Sequence, residues 1–495
     1  MKAEKGKYKI GDVIGYDKHK ICALLGEGYS GIVYLTYSQR HKQLFALKML
    51  KEEHYGDIKK EEWFRREANI VTALGQHPYI THVYWVDEID GQFCLVMEYL
   101  PKSESGLLSL DDYLQKSPPD IEQTLRWAIQ FCYGMEFANL KKVWCQRDIR
   151  PKNILICPQG DIKIADFGLA SSPGATKRET ESKMTVPQIR KKPRPKINND
   201  VDAYNGHMPP EYFSDYSVCN QRVDIYSFGI TLYRMLNNGT LPFSNSVEFE
   251  AFLFLNDCKL PNIESPLFPI ITRCAKCNPD ERYQSFKELR VDLESLLKSI
   301  AGNIVPAPQL REIYSWEWNN RGWSRIHLNH YNDALCDFNK ALESKPFSES
   351  GEITYAIFAK AWCGKGLCYS ELASRAAYSG DKQHATRYIT KANQAFDNAT
   401  MFDFEYCQAW YNWGNLFHHF RNFEPAIECY DWATQINPNY SLAWFNKAEA
   451  EFDLDRKPDA TKSFKKFLEL ADPTKDQFQK DIAQKRLSEL FKNYT

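Results

Sequence analysis

A lysine inside an apolar strand, a glutamate on the segment after it, and two aspartates and an asparagine further along carry the chemistry of this chain. Lys48 stands in Phe45-Ala46-Leu47-Lys48-Met49, where an ammonium is costly to bury unless it meets an anion. Two anions suit it: a nucleotide phosphate, or a carboxylate from the helical segment Trp63-Phe64-Arg65-Arg66-Glu67-Ala68-Asn69-Ile70. Apolar Phe64, Ile70 and Val71 put Glu67 on or beside the inward face of that helix, whereas Glu61 and Glu62 can stay solvated. Later comes Gln146-Arg147-Asp148-Ile149-Arg150-Pro151-Lys152-Asn153-Ile154-Leu155, then Ile162-Lys163-Ile164-Ala165-Asp166-Phe167-Gly168. Asn153 on its loop and Asp166 at the end of an apolar strand supply oxygen ligands of the kind Mg²⁺ takes. Asp148 is left to orient a hydroxyl nucleophile.

The elements that must position these groups are legible around them. Apolar alternation on both sides of Gly26, Gly28 and Gly31 predicts a hairpin with the glycines at its turn. No helix follows them, which argues against a dinucleotide-binding turn and for a flap over phosphates. Phe93-Cys94-Leu95-Val96-Met97 reads as a buried strand running into Glu98-Tyr99-Leu100-Pro101.

In order and spacing these residues resemble the eukaryotic-type protein kinase family over about residues 8–300. Three later marks agree. Met208-Pro209-Pro210-Glu211 is similar to the motif that closes the family's activation segment, here 166–211. Asp224, in Val223-Asp224-Ile225-Tyr226-Ser227-Phe228-Gly229, resembles the helix aspartate that supports the catalytic loop, and Arg282 resembles the arginine that pairs with Glu211. The resemblance implies an α+β bilobal fold and an ATP- and Mg²⁺-dependent transfer of phosphate to a protein. It makes Asp148 the catalytic base, with Arg150, Lys48 and Glu67 in the catalytic set, and Asn153 and Asp166 the metal ligands. Leu25, Gly26, Glu27, Gly28, Gly31, Val33, Ala46, Lys48, Met97, Glu98, Leu100 and Leu155 would surround the nucleotide. Arg147, Gly168, Glu211, Asp224 and Arg282 would be structural or regulatory.

The chain also departs from the family pattern. Gln146 stands where a histidine is usual, a position expected to serve mainly packing. Arg150 replaces the lysine usual in Ser/Thr kinases, and Arg is a bulkier, permanent cation. Pro151 is Ser/Thr-like, whereas Asp202-Ala203-Tyr204-Asn205-Gly206-His207 lacks the Gly-Thr expected before Met208. Ser/Thr is the expected substrate hydroxyl, with Tyr the alternative. In the family, an arginine at the position of Arg147 meets a phosphate on the activation segment, so Thr176, Thr180, Ser182 and Thr185 are candidate phosphosites. They lie in a long aperiodic stretch that also carries Arg190-Lys191-Lys192-Pro193-Arg194-Pro195-Lys196, most simply a solvated charge run.

Gly and two prolines in 301–310 mark a linker. Beyond it the pattern is helical and self-similar. Trp410, Gly414, Ala426 and Tyr430 recur 34 residues on as Trp444, Ala448, Ala460 and Phe464. Trp318, Gly322, Ala334, Phe338, Ala341 and Pro346 match Trp410, Gly414, Ala426, Tyr430, Ala433 and Pro438. Trp362, Gly366, Tyr369, Ala392, Phe396 and Ala399 fit a further copy with an insertion near 373–383. This resembles the tetratricopeptide repeat family, an all-α solenoid, in four copies across 311–475 (about 315–348, 359–406, 407–440 and 441–474), with 476–495 a capping helix. The repeated aromatics are expected to be core, and the concave face to hold a peptide or protein partner. Asn415 and Asn446 sit at plausible carboxylate-clamp positions, but without the accompanying basic residues.

Composition narrows the alternatives. With 63 Lys+Arg against 64 Asp+Glu in 495 residues the net charge is −1, so nothing global favours nucleic acid or an anionic membrane as partner. No apolar run is long enough to span a bilayer, and no secretory signal follows Met1. The 14 cysteines are scattered, Cys274 and Cys277 form a lone CxxC short of a zinc site, and reduced thiols in the cytoplasm are expected. Two functions follow: a protein kinase whose repeats recruit substrate or regulator, or an inactive scaffold acting through the repeats. The presence of Lys48, Glu67, Asp148, Asn153 and Asp166 favours the first. Glu211, Asp224 and Arg282 weigh against a small-molecule substrate.

Overall fold

The computed structural model describes residues 7–15, 18–28, 31–170, 206–213, 220–243, 259–344, 351–472 and 476–492. The candidate phosphosites, the basic run at 190–196 and Pro346 lie outside these residues. The chain divides into two units, Met1–Arg311 and Glu312–Thr495.

The first unit begins with a six-stranded antiparallel sheet: β1 (Val13–Ile14), β2 (His19–Glu27), β3 (Ile32–Ser38), β4 (Gln43–Met49), β5 (Val83–Ile89) and β6 (Gln92–Glu98), in the order β1-β2-β3-β4-β6-β5. Alternation across β3 and β4 sends Tyr34, Leu47 and Met49 to one face, all nearly inaccessible, and Val33, Ala46 and Lys48 to the other. The register pairs Val33 with Lys48, Lys48 with Leu95 and Ala46 with Met97, so these five side chains share one face. Helix α1 (Ile58–Leu74) is capped by Asp57, whose carboxylate accepts from the amides of Lys59 and Lys60. Its inward stripe of Phe64, Glu67, Ala68, Ile70 and Val71 carries a single charge.

The lower part is built on α2 (Leu110–Lys116), α3 (Ile121–Leu140), α4 (Gln221–Leu236), α5 (Phe268–Cys274) and α6 (Phe286–Ala301). Phe131 of α3 stacks on Phe228 of α4 with centroids 4.0 Å apart, and Phe286 of α6 closes the cluster. The short pair β7 (Ile154–Ile156) and β8 (Ile162–Ile164) lies beside α3 and presents the loops that follow to the sheet above. Part of the expected linker packs on this unit: Arg126 bonds Asn303 at 2.7 Å and Val305 is buried.

The second unit is helical throughout its described residues: α7 (Ser315–His327), α8 (Tyr331–Glu343), α9 (Gly351–Tyr378), α10 (Lys382–Phe402), α11 (Cys407–His419), α12 (Phe423–Ile436), α13 (Ser441–Asp453), α14 (Lys457–Leu470) and α15 (Gln477–Lys492). One contact recurs. A Cβ built on Gly322, Gly366 or Gly414 would lie 2.6 Å from the ring of Phe338, Phe396 or Tyr430 respectively, so the two helices of each pair cross where only glycine fits. A second recurrence is the Trp410 indole donating to the Phe404 carbonyl (3.0 Å) and the Trp444 indole to the Pro438 carbonyl (2.9 Å). The extra residues of the second pair form no loop. They lengthen α9 and α10 on both sides of the Ser379–Asp381 turn, to 28 and 21 residues against 13 for α11 and 14 for α12. Ala483 and Leu490 of α15 join the end cluster with Phe464 and Phe467.

The thiols depart from expectation. Ten cysteines among the described residues are free, but Cys145 and Cys277 each take part in a disulfide. Spacing along the chain carries no record of which thiols the fold brings together. Among the described residues no helix is long and apolar enough to cross a membrane.

Candidate active site

Strand β4 delivers Lys48 and helix α1 delivers Glu67. Lys48 Nζ donates to Glu67 Oε1 at 2.6 Å and approaches Asp166 Oδ1 at 3.5 Å. Burial alone would push the Lys48 ammonium down, but the Glu67 and Asp166 carboxylates outweigh it and hold it above the ordinary lysine value. The cation stays charged.

Asp166 follows β8 with φ +59°, a left-handed conformation that a non-glycine residue keeps only when its surroundings impose it. Three bonds do so. Its Oδ1 accepts from the Gly168 amide at 3.1 Å, its carbonyl accepts from Gln146 Nε2 at 2.6 Å, and the Gly168 carbonyl accepts from the Trp63 indole at 2.6 Å. A Cβ on Gly168 would lie 3.1 Å from Asp166 Oδ1 and 3.3 Å from Glu67 Oε2, so glycine is what lets the turn close on both carboxylates. Burial pushes the Asp166 carboxyl up; Lys48 and the Gly168 amide overcome it, and the net shift is downward.

Asp148 lies across the cleft on the loop before β7. Asn153 Nδ2 donates to its Oδ2 at 2.8 Å and to its carbonyl at 2.9 Å, and Arg150 Nε lies 3.2 Å from Oδ1. Burial raises the Asp148 carboxyl to about 6, with Arg150 pulling the other way and Asp166 adding to the rise. The loop is anchored from below. Asp224, fully buried in α4, accepts the amides of Gln146 (2.7 Å) and Arg147 (2.9 Å), which holds Arg147 at φ +70°. Arg282, also buried, forms a two-pronged pair with Glu211 at 2.8 Å on each prong and donates to the carbonyls of Lys276, Arg222 and Cys277.

The donors suit a divalent metal and a polyphosphate. Asn153 turns its amide nitrogen to Asp148, which leaves Oδ1 as the acceptor, and the Asp166 side chain is 42% exposed. No cluster of three or more His, Cys, Asp or Glu side chains stands ready for a metal among the described residues, so the ion would need oxygens from its ligand too. Gly31 is required by packing, since a Cβ there would lie 2.6 Å from the Met49 carbonyl. Gly26 and Gly28 are not: a Cβ on either meets at most one atom, at 3.9 Å. Their bareness leaves room for something outside the chain.

Of the other residues singled out from sequence, Val33, Ala46 and Met97 line the Lys48 face. Leu25 is 42% exposed, Leu155 lies in β7, and Leu100 follows β6. Glu27 turns its carboxylate to Lys51 at 2.8 Å. The Glu98 carboxylate pairs with Lys163 at 2.8 Å, and its amide donates to the His82 carbonyl. Three residues were missed or undervalued. Leu95 shares the Lys48 face, which the strand register would have revealed. Trp63 lies one helical turn before Glu67, but its reach to Gly168 left no mark in the sequence. Gln146 does more than pack, since its Oε1 accepts the Asp148 amide at 2.8 Å while its Nε2 holds Asp166.

Comparison with known proteins agrees with this geometry. The protein kinase domain family matches residues 19–293, and the tetratricopeptide repeat family matches 407–440. A probable serine/threonine-protein kinase of Clostridium perfringens is 27% identical over 297 residues, 58% of this chain and 39% of that protein. The cAMP-dependent protein kinase type 3 of Saccharomyces cerevisiae is 28% identical over 54% of this chain and 60% of its own length. Serine/threonine-protein kinase PrkC of Bacillus subtilis is 26% identical over 56% and 40% respectively. The chain thus spans between about two fifths and three fifths of the length of these relatives.

Proposed function

The chain belongs to the protein kinase family, and on that premise we propose that it is an ATP-dependent kinase acting on Ser or Thr hydroxyls of protein substrates. The observation that carries the reading is the joining of Lys48, Glu67 and Asp166 within 3.5 Å beside an Asp148 whose carboxyl is raised to about 6. The nearest alternative, an inactive scaffold, is not favoured by a site with every charged group in place.

Each residue has a task in this reading. Lys48, oriented by Glu67, meets the α- and β-phosphates as a fixed cation. Val33, Ala46 and Met97 form apolar walls for the adenine, and Gly26 and Gly28 let backbone approach the phosphates. Asn153 and Asp166 would hold Mg²⁺, which when bound neutralises charge on the phosphate oxygens. Asp148 accepts the hydrogen of the substrate hydroxyl and orients its oxygen for in-line attack. Arg150 steadies the transferred group from a position where it also pairs with Asp148. The Asp224 and Arg282 anchors keep the loop and the Glu211 segment in register, and Arg147 would meet a phosphate on the activation segment. The helical pairs of the second unit recruit a protein, substrate or regulator, which raises its local concentration at the site.

The test is incorporation of radiolabel from γ-labelled ATP with Mg²⁺ into a generic Ser/Thr substrate by the full chain, with Asp148→Asn as control. Label in phosphoserine or phosphothreonine from the wild type alone supports the reading. Label in phosphotyrosine would change the substrate class, and nucleotide binding without transfer would favour the scaffold.

A further inference from the structure

The repeated tryptophans of the second unit differ in one respect. Three of them carry a cation of the chain itself on the ring. Arg321 and Lys340 lie over Trp318 at 4.2 and 4.6 Å, Lys365 over Trp362 at 3.9 Å and Lys447 over Trp444 at 5.3 Å. Among the described residues no Lys or Arg lies over Trp410; three residues on, where the other repeats carry Arg321, Lys365 or Lys447, Trp413 stacks on it instead, 5.6 Å away. The position that Lys340 takes in the first repeat is Trp432 in the third, and its ring packs 6.0 Å from Trp410, with Phe404 at 5.4 and 5.1 Å from the two.

The aromatic face so formed is open. Phe404 is 50% exposed and Trp432 41%. Exposed apolar side chains gathered in one place, unlike single ones, mark an interaction surface. The surroundings have one sign: residues 397–432 hold six carboxylates against one arginine. Asp431 is paired with Lys447 of α13, and Glu424 with Arg456, the residue before α14. Glu405, next to Phe404, and Glu428, one turn before Trp432, have no cationic partner among the described residues, and both are exposed. Indole faces attract cations through their negative π surface, and the unpaired carboxylates add to that attraction.

We propose that Phe404, Trp410 and Trp432 form a docking surface for a cationic peptide segment of a partner protein. An Arg or Lys side chain of the partner stacks on the exposed Trp432 indole, which Trp410 and Phe404 back, and its neighbours pair with Glu405 and Glu428. The proposal does not depend on the kinase reading. An anionic or purely apolar partner does not fit it, and a second copy of the chain would have to bring cations of its own.

The experiment is fluorescence anisotropy of the full chain with a labelled Arg-Gly-Arg-Pro-Arg-Gly-Arg peptide, beside the same peptide with every Arg replaced by Glu. The cationic peptide should bind, weaken as salt rises, and lose about ten-fold in affinity with Trp432→Ala. Glu428→Lys should lose at least as much, because it places an internal cation within reach of the ring, and its melting temperature should not fall. No binding by the cationic peptide, equal binding of both peptides, or full affinity in Glu428→Lys would each overturn the proposal. So would sedimentation showing a dimer that Trp432→Ala dissolves, since the face would then be covered by a second copy.

Discussion

The indole of Trp63 donates to the carbonyl of Gly168 at 2.6 Å, from one turn before Glu67 on the same helix. That bond ties α1 to the Asp166-Phe167-Gly168 turn, while Lys48 ties the same two elements through its bonds to Glu67 and Asp166. The helix and the turn are therefore joined at two points. Gln146 repeats the device from below, joining the Asp148 amide to the Asp166 carbonyl. The proposed base and the proposed metal ligand are thus in register through one uncharged side chain.

Trp63→Phe keeps the ring and removes the donor. One hydrogen bond of net worth about 1 kcal/mol is lost, so kcat/KM should fall about five-fold with little change in thermal stability. Steady-state kinetics with varied ATP checks this, and hydrogen exchange should quicken at the amides of 166–170.

As the proposed base, Asp148 should set the acid limb of the rate profile. A base works only when ionised, and burial raises this carboxyl to about 6. We expect kcat/KM to be level above that pH and to fall about ten-fold for each unit below it. A profile still level at pH 5 would contradict the assignment.

Arg282→Ala leaves the Glu211 carboxylate without its two-pronged partner and frees three carbonyls. Breaking a buried pair of this kind costs about 3 kcal/mol or more. Denaturant unfolding of the full chain should show the loss in the transition of the Met1–Arg311 unit, and Arg282→Lys should recover only part of it.

Gly414→Ala puts a Cβ 2.6 Å from the Tyr430 ring and should destabilise the second unit by about 1–3 kcal/mol. The fourth pair has Ala448 in one cluster with Phe464, so the glycine requirement belongs to the first three pairs. The double substitution Gly414→Ala/Tyr430→Phe should not restore stability, because the clash is with ring carbons and not the hydroxyl.

Much of this site was legible because its groups are costly in any other setting. A lysine in an apolar strand needs an anion, and Glu67 lies at the distance that need implies. The same holds for Arg282 and Glu211, which no local pattern links but whose motifs lie in a known order. What was not legible depends on contacts across the fold. Trp63 reads as one more apolar residue of a helix, and Gln146 as packing, because a hydrogen bond to a distant carbonyl leaves no periodicity. The disulfides of Cys145 and Cys277 were missed for the same reason. That the extra residues of the second pair continue both of its helices follows only from seeing α9 and α10 whole.

The most direct measurement of the central claim is phosphate transfer by the full chain with γ-labelled ATP and Mg²⁺, beside Lys48→Met and Asp148→Asn. The wild type should label Ser or Thr, and both variants should fall about 10²-fold or more. Lys48→Met should weaken ATP binding, and Asp148→Asn should retain it. Wild-type transfer undiminished in Asp148→Asn would contradict the assignment of the base, and no transfer despite ATP binding would contradict the account as a whole.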